Sequence, residues 1–385
     1  MTSFLVFTVL VLIGIAVWQL TKIFDLTQVG GVADDSEIAN DKDNSVNGYL
    51  MFAFVGFIYV FTIYSLYAWG DLVLGTPASE HGKDVDSLMA ISMALIFFVQ
   101  TITQFLLHYF AFKYRGKEGQ KALYFADNNK LEAIWTIIPV IVLAGLILYG
   151  LYTWNNIMFV DEEDKQDAIV IELYAKQFGW EARYAGDDKT LGKANVRLIE
   201  GINTLGVDLA DPAAQDDKVV TELHLPVGKK VIFKMRSQDV LHSAYMPHFR
   251  AQMNCVPGMI TQFSFTPTVT TADMRNDDAI IAKVDKINKI RSKNSKKIVA
   301  EGGTALDTYT FDYLLLCNKI CGASHYNMQM KIVVDTPADF KAWLNEKPTL
   351  AQQWKEANAP APVAAPVSSP AVAVDTTKVL AQVIK

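Results

Sequence analysis

The sequence predicts a membrane anchor of about four helices followed by an all-β domain, a small Greek-key sandwich or barrel. Three observations carry that prediction. Four long apolar runs crowd the first 155 residues. Beyond them the pattern shifts to short β-rich runs parted by turn residues. Near the end of the β region, two cysteines, a histidine and a methionine share one short loop. At 385 residues the chain has room for two or three modules. Hydrophobic residues make up 51% of it and mean hydropathy is +0.18, high for a soluble protein. The net charge of −6 argues against nucleic acid as a partner. Three cysteines, two of them in the loop, leave no disulfide framework to infer.

The apolar runs cover about Phe4 to Ile23, Leu50 to Trp69, Leu88 to Phe112 and Leu131 to Trp154. Each is long enough to span a bilayer and too poor in charge for a soluble amphipathic helix. Trp18, Tyr67, Trp69, Tyr109, Tyr152 and Trp154 lie near their ends, as aromatic belts do. Pro139 inside the fourth run is tolerated where neighbouring helices re-satisfy the freed carbonyl. The first run could instead be a signal peptide. Its start, Met1-Thr2-Ser3-Phe4, lacks basic residues and Lys22 follows the apolar stretch, which favours a retained helix. The anchor thus divides into an extra helix at 1–30, a second at 48–72 and a helical hairpin at 86–157. Lys113, Arg115, Lys117, Lys121 and Lys130 place the loop between the third and fourth runs in the cytoplasm. Four spans then leave the large C-terminal domain outside.

From 165 to 348 the chain reads as the β domain. Ile169-Val170-Ile171-Glu172-Leu173, Val219 to Leu225, Val231 to Met235, Thr261 to Phe265 and Tyr313 to Leu316 are its strand candidates. Turn residues such as Pro226, Gly228, Pro257 and Gly258 separate them. Two insertions interrupt the domain, at 181–218 and 271–306. The first is a polar loop excursion. The second turns basic from Lys283 onward, and Ile281, Val284, Ile287 and Ile290, with Ile280 alongside, mark an amphipathic helix. That helix is either a solvated excursion or a docking face for a partner or anionic lipid. Residues 349–385 turn to Ala, Pro, Val and Ser, a flexible tether. They hold no C-x-x-C-H, so no fused c-type haem is expected.

The loop reads Cys317-Asn318-Lys319-Ile320-Cys321-Gly322-Ala323-Ser324-His325-Tyr326-Asn327-Met328. Thiolate, thioether and imidazole are the donors copper prefers over hard cations. One Cys and one Met would suit a mononuclear site, and the second Cys adds a thiolate, enough to bridge two ions. A second imidazole must then come from elsewhere, and His242 in Ser237-Gln238-Asp239-Val240-Leu241-His242-Ser243 is the donor to hand. A plain disulfide and a structural zinc site are the competing readings of the cysteine pair. Cys255 lies apart and reads as a small buried residue.

The loop resembles the dinuclear copper (CuA) signature of cytochrome c oxidase subunit II. Val219 to His242 resembles that family's central strands and upstream copper histidine, and Asn129 to Pro139 the start of its second membrane helix. The likeness covers roughly residues 88 to 340. It implies a cupredoxin-like β domain on the periplasmic face of a bacterial inner membrane. It also implies two copper ions held by His242, Cys317, the Lys319 carbonyl, Cys321, His325 and Met328. Asp239 would be an outer-shell or docking residue. Shared charge on a dithiolate-bridged pair means little rearrangement on reduction, which suits an electron relay.

The partners implied are haem-bearing subunit I, other oxidase subunits, the lipid bilayer, and cytochrome c or a membrane-tethered cytochrome c domain. The activity implied is that of cytochrome-c oxidase, to which this chain contributes electron transfer. Two departures qualify the likeness, and one match extends it. Lys319 and Asn254 stand where the family has acidic residues near a magnesium ion, and an ammonium cannot ligate a cation, so this chain is not expected to bind magnesium. The family's Q-W-Y-W appears as Gln177-Phe178-Gly179-Trp180, leaving Phe178 and Trp180 as candidates for receiving electrons. Glu132 matches the family's residue at the mouth of a proton pathway, and an acid at the membrane boundary is otherwise merely interfacial. The rivals are a copper-free structural subunit II of a quinol oxidase, a copper-delivery protein, and a soluble CuA domain of the nitrous oxide reductase kind. The first lacks the cysteine pair, the second needs a labile site and the third lacks membrane helices.

Overall fold

A computed structural model describes residues 2–28, 40–70 and 73–359. Helix α1 runs Thr2–Gln28, α2 Asp41–Trp69, α3 Gly82–Lys113 and α4 Asn129–Met158. Asparagines start two of them. Asn40 accepts from the Asp43 N–H at 2.9 Å, and Asn128 from the Leu131 N–H at 3.1 Å. Against the expectation of about four spans, three helices among the described residues are long and apolar enough to cross a membrane, those beginning at Asp41, Gly82 and Asn129. Helix α1 is apolar too, but its run over the described side chains, Val6–Thr21, is shorter than a span needs. The first turn of α2 meets the turn after α3: the Glu118 N–H donates to Asp41 at 2.8 Å and Arg115 to Ser45 at 3.2 Å. Both ends therefore lie on one side of the membrane, as the lysine bias requires.

A short helix, α5 (Glu162–Asp167), leads into two five-stranded sheets. The first holds β1 (Ile169–Lys176), β2 (Gly179–Tyr184), β3 (Lys218–Val220), β5 (Val231–Ser237) and β8 (Thr261–Phe265), in the order β3-β2-β1-β5-β8. The second holds β4 (Leu223–Pro226), β6 (His242–Met246), β7 (Ala251–Cys255), β9 (Tyr313–Cys317) and β10 (Gln329–Asp335), in the order β4-β10-β9-β6-β7. Parallel pairing of β1 with β5 and of β10 with β4, among otherwise antiparallel neighbours, is what crossover connections between two sheets produce. Alternate side chains point inward: Tyr313, Leu315 and Cys317 from β9 meet Leu173, Phe233 and Met235 from the other sheet in one core. This is the sandwich that the strand spacing suggested and the cupredoxin-like domain that the resemblance implied.

The sandwich is tied to the anchor at the end where β6 finishes. The Ala78 N–H donates to the His248 carbonyl at 2.7 Å, and Arg250 grips Asp86 in the first turns of α3 at 2.7 and 2.9 Å. Such a two-pronged guanidinium–carboxylate pair fixes direction as well as distance.

The insertions differ from their expected form. Glu181 to Tyr184 belongs to β2, so the first excursion begins after that strand. Buried Arg183 holds it down, bonding Glu172 at 2.7 Å, Asp217 at 2.7 Å and the Gly192 carbonyl at 2.9 Å. The second contains α6 (Thr271–Arg275) and then α7 (Asp278–Ala300), the basic helix expected. Ile280 and Val284 pack on the core, whereas Ile281 and Ile290 are exposed, because three-residue steps drift off a helical face. After α8 (Pro337–Glu346), the stretch expected to be a flexible tether opens as a helix instead: α9, Leu350–Ala357. A capping box between Thr349 and Gln352 starts it, and Leu350 and Ala351 are buried. The expected tether beyond residue 359 lies outside the described residues.

Candidate metal centre

The donor atoms gather where β6 begins and β9 ends. Antiparallel pairing sets Ala244 opposite Cys317, so His242 at the head of β6 and Cys317 at the foot of β9 reach the same end of the second sheet. The β9–β10 connection then doubles back. The Cys317 N–H donates to the Met328 carbonyl at 3.1 Å, and the single turn His325–Asn327 closes through Met328 N–H to His325 carbonyl at 3.1 Å. Gly322 permits the fold-back. Its φ of 141° disfavours a side chain, and a Cβ there would stand 2.8 Å from the Phe178 ring.

Within this fold-back the donors form two groups. Cys317 Sγ lies 3.8 Å from His242 Nδ1 and 3.2 Å from the Lys319 carbonyl oxygen. Cys321 Sγ lies 3.5 Å from His325 Nδ1 and 3.7 Å from Met328 Sδ. Ligand atoms of His242, Cys317 and Cys321 all fall within 4.8 Å of one another. His242, Cys317, Cys321 and Met328 are buried. Each thiol thus has its own imidazole and one further donor. The cysteines are unpaired, not a disulfide. Burial, with Cys317 beside it, pushes the Cys321 thiol up to about 11, so two adjacent thiolates need a cation between them. The residues present fit a soft metal ion.

Outer groups orient the imidazoles. His242 Nε2 meets Asp239 Oδ1 at 2.8 Å, which turns Nδ1 toward Cys317. Burial alone would lift the Asp239 carboxyl, but hydrogen bonds from the Gln177 N–H, His242 and the Val240 N–H outweigh it and hold the group below the usual carboxylate range. Trp180 on β2 packs against His242 in a T-shaped ring pair, with centroids 6.3 Å apart. Cys255 is buried as expected, opposite His242 in the β6–β7 pairing. Burial pushes its thiol up to about 12, which suits an inert core residue.

All six expected donors therefore meet. Lys319 turns its carbonyl inward and leaves its side chain in solvent. Phe178 is 39% exposed at the rim. Glu132 stands in the first turn of α4, at the opposite end of that helix from the sandwich, exposed.

Comparison with known proteins decides the family. A profile described as "Cytochrome C oxidase subunit II, transmembrane domain" matches residues 66–153, and "Cytochrome C oxidase subunit II, periplasmic domain" matches 169–272. The chain is 32% identical over 294 residues to the "Alternative cytochrome c oxidase subunit 2" of Bradyrhizobium diazoefficiens, covering 76% of this chain and 88% of that one. It belongs to the cytochrome c oxidase subunit II family. A subunit 2 from Thermostichus vulcanus is 24% identical over 305 residues, covering 72% of this chain and 80% of the relative. One from Synechocystis is 22% identical over 322 residues, covering 79% and 81%. As a family member the chain is a membrane protein with an outer domain. Helices α1 and most of α2 precede the matched transmembrane stretch, and the periplasmic match stops at the start of the basic insertion. The cysteine loop lies beyond it, so the case for the metal rests on the loop's own geometry.

Proposed function

We propose that this subunit accepts electrons for a haem–copper terminal oxidase and holds two copper ions with His242, Cys317, the Lys319 carbonyl, Cys321, His325 and Met328. The observation that carries the reading is the division of donors into two matched groups, each a thiol, an imidazole and one weaker donor. When bound, two coppers would supply a one-electron relay whose added charge would spread over both ions, keeping rearrangement small. The chain's part is to hold that shell still. Strands β6 and β9 fix two donors, Asp239 fixes an imidazole and the buried core keeps water out.

Ile320 and Tyr326 stand 90% and 88% exposed on the loop itself, with Phe178 beside them. Such an apolar rim over a buried centre suits transient docking of an electron carrier, a cytochrome c or a membrane-tethered cytochrome c domain. The subunit would hand electrons on to the haem of subunit I, where oxygen is reduced to water and protons are pumped. It would work from the outer face of a bacterial inner membrane, with Glu132 near a cytoplasmic proton entrance. No magnesium ligand is expected from it, since Lys319 offers a cation and Asn254 is neutral. A copper-free structural role in a quinol oxidase would leave four buried soft donors without purpose.

Stopped-flow mixing of the copper-loaded full chain with reduced cytochrome c tests the reading. Bleaching of the visible and near-infrared copper bands in step with cytochrome oxidation is expected. A copper-loaded chain that no reduced cytochrome c bleaches would contradict it.

A further inference from the structure

The first donor group takes His242 from the head of β6, just after the β5–β6 turn, whereas all three donors of the second come from the β9–β10 loop. One residue from a third segment touches both. Gln177 follows β1, in its turn into β2. Its backbone N–H donates to Asp239 Oδ2 at 2.7 Å, while the other oxygen of that carboxylate meets His242 Nε2 at 2.8 Å. Its side-chain amide donates to the Cys321 carbonyl, across 144 residues of sequence. The next residue, Phe178, lies against Gly322, the neighbour of Cys321. The Gln177 side-chain nitrogen itself comes within 3.0 Å of where a Cβ on Gly322 would stand.

From these contacts we infer that Gln177 is a positioning residue that sets the separation of the two donor groups. The inference rests on the metal reading above and deepens it. The physical case is one of geometry. His242 is braced from the sheet side through Asp239. Cys321 follows Asn318, Lys319 and Ile320, all exposed, and its main chain would otherwise be held only by the turn at its own C-terminal side. An amide anchored on the rigid end of β1 makes the Cys321 carbonyl a fixed point. It ties that point to the same backbone atom set that fixes Asp239. The two halves of the shell therefore share one brace.

The division of labour is separable by substitution, because one contact is main chain and the other side chain. Replacing the side chain removes the hold on Cys321 and leaves the hold on Asp239. Gln177→Glu keeps the shape but, ionised, cannot donate to a carbonyl; Gln177→Met keeps the length and has no donor. The test uses the full chain in detergent, loaded with copper. It reads copper retained against a chelator, the EPR hyperfine pattern and the thermal midpoint of the metal-free protein. Both variants should melt as wild type when metal-free. Loaded, they should lose copper about 10- to 100-fold more readily, the range for removing an outer-shell partner. Their hyperfine couplings should become unequal, as the Cys321 half shifts and the His242 half stays.

Wild-type retention and hyperfine pattern in both variants would overturn the inference. So would collapse of the metal-free fold in both, which would assign Gln177 to stability alone. If only Gln177→Glu fails to fold, Gln177→Met decides by the same readouts. A wild-type chain that binds no copper would instead sink the metal reading, a separate and recognisable failure.

Discussion

At one end of the sandwich, His242, Cys317, Cys321 and Met328 are buried and aim their donor atoms at one another. At the other, Arg250 directs its guanidinium outward, to Asp86 of α3, the Gly75 carbonyl and the Pro247 carbonyl. The two ends meet opposite demands on the same strand, since β6 starts at His242 and its exit turn contains Phe249 beside Arg250. The anchor end turns polar groups into contacts that orient one domain on another. The metal end keeps soft donors poised in a buried pocket, where they add little to folding without a metal. Function should thus be concentrated at the first end and mechanical stability at the rest of the scaffold.

Cutting one thiol tests that division most severely. Cys321→Ser, or Cys317→Ser, should abolish the dinuclear copper signal, yet shift metal-free stability by only about 1 kcal/mol, as a near-isosteric change does. Parallel EPR and thermal melts would show the two effects apart. Large destabilisation of the metal-free protein would break the comparison.

The reverse pattern is expected at Arg183, whose side chain is 2% exposed between Glu172 and Asp217. Arg183→Met leaves a buried carboxylate uncompensated and should cost about 3–5 kcal/mol. The urea midpoint of the full chain in micelles would fall, while the folded fraction should still take up copper.

Arg250→Ala is expected to be milder. Losing a charged bidentate bond costs about 1.5–3 kcal/mol. It should loosen the sandwich on its anchor, read as faster proteolysis within residues 73–80, with the copper spectrum unchanged.

The smallest effect belongs to α7. Lys289→Ala together with Lys293→Ala alters a solvent-facing stripe and should change stability by no more than about 0.5 kcal/mol. Urea titration checks that, and a larger loss would mean that α7 is part of the scaffold after all.

The sequence made the metal end legible because four of its five side-chain donors lie within twelve consecutive residues, where spacing alone reports geometry. His242 was readable as the second imidazole that the loop lacks and through the resemblance, although nothing local links it to a loop that the fold brings to 3.8 Å. The contact of Gln177 with Cys321 carried no signal, because its partner is 144 residues away. The Arg183 cluster was equally silent: in sequence, Glu172 and Arg183 look like the polar positions of half-exposed strands. Helix α9 did have a signal. Thr349 with Gln352 three residues later is a capping box, overshadowed by the Ala/Pro composition that follows. The faces of α7 were half legible, with Ile280 and Val284 placed correctly and Ile290 on the wrong side.

The most direct measurement is the EPR spectrum of the full chain, loaded with copper and poised with one electron missing. A seven-line hyperfine pattern, from one unpaired spin shared equally by two copper nuclei, is what the two matched donor groups predict. A four-line pattern from a single nucleus, or no bound copper in a folded chain, would contradict the account.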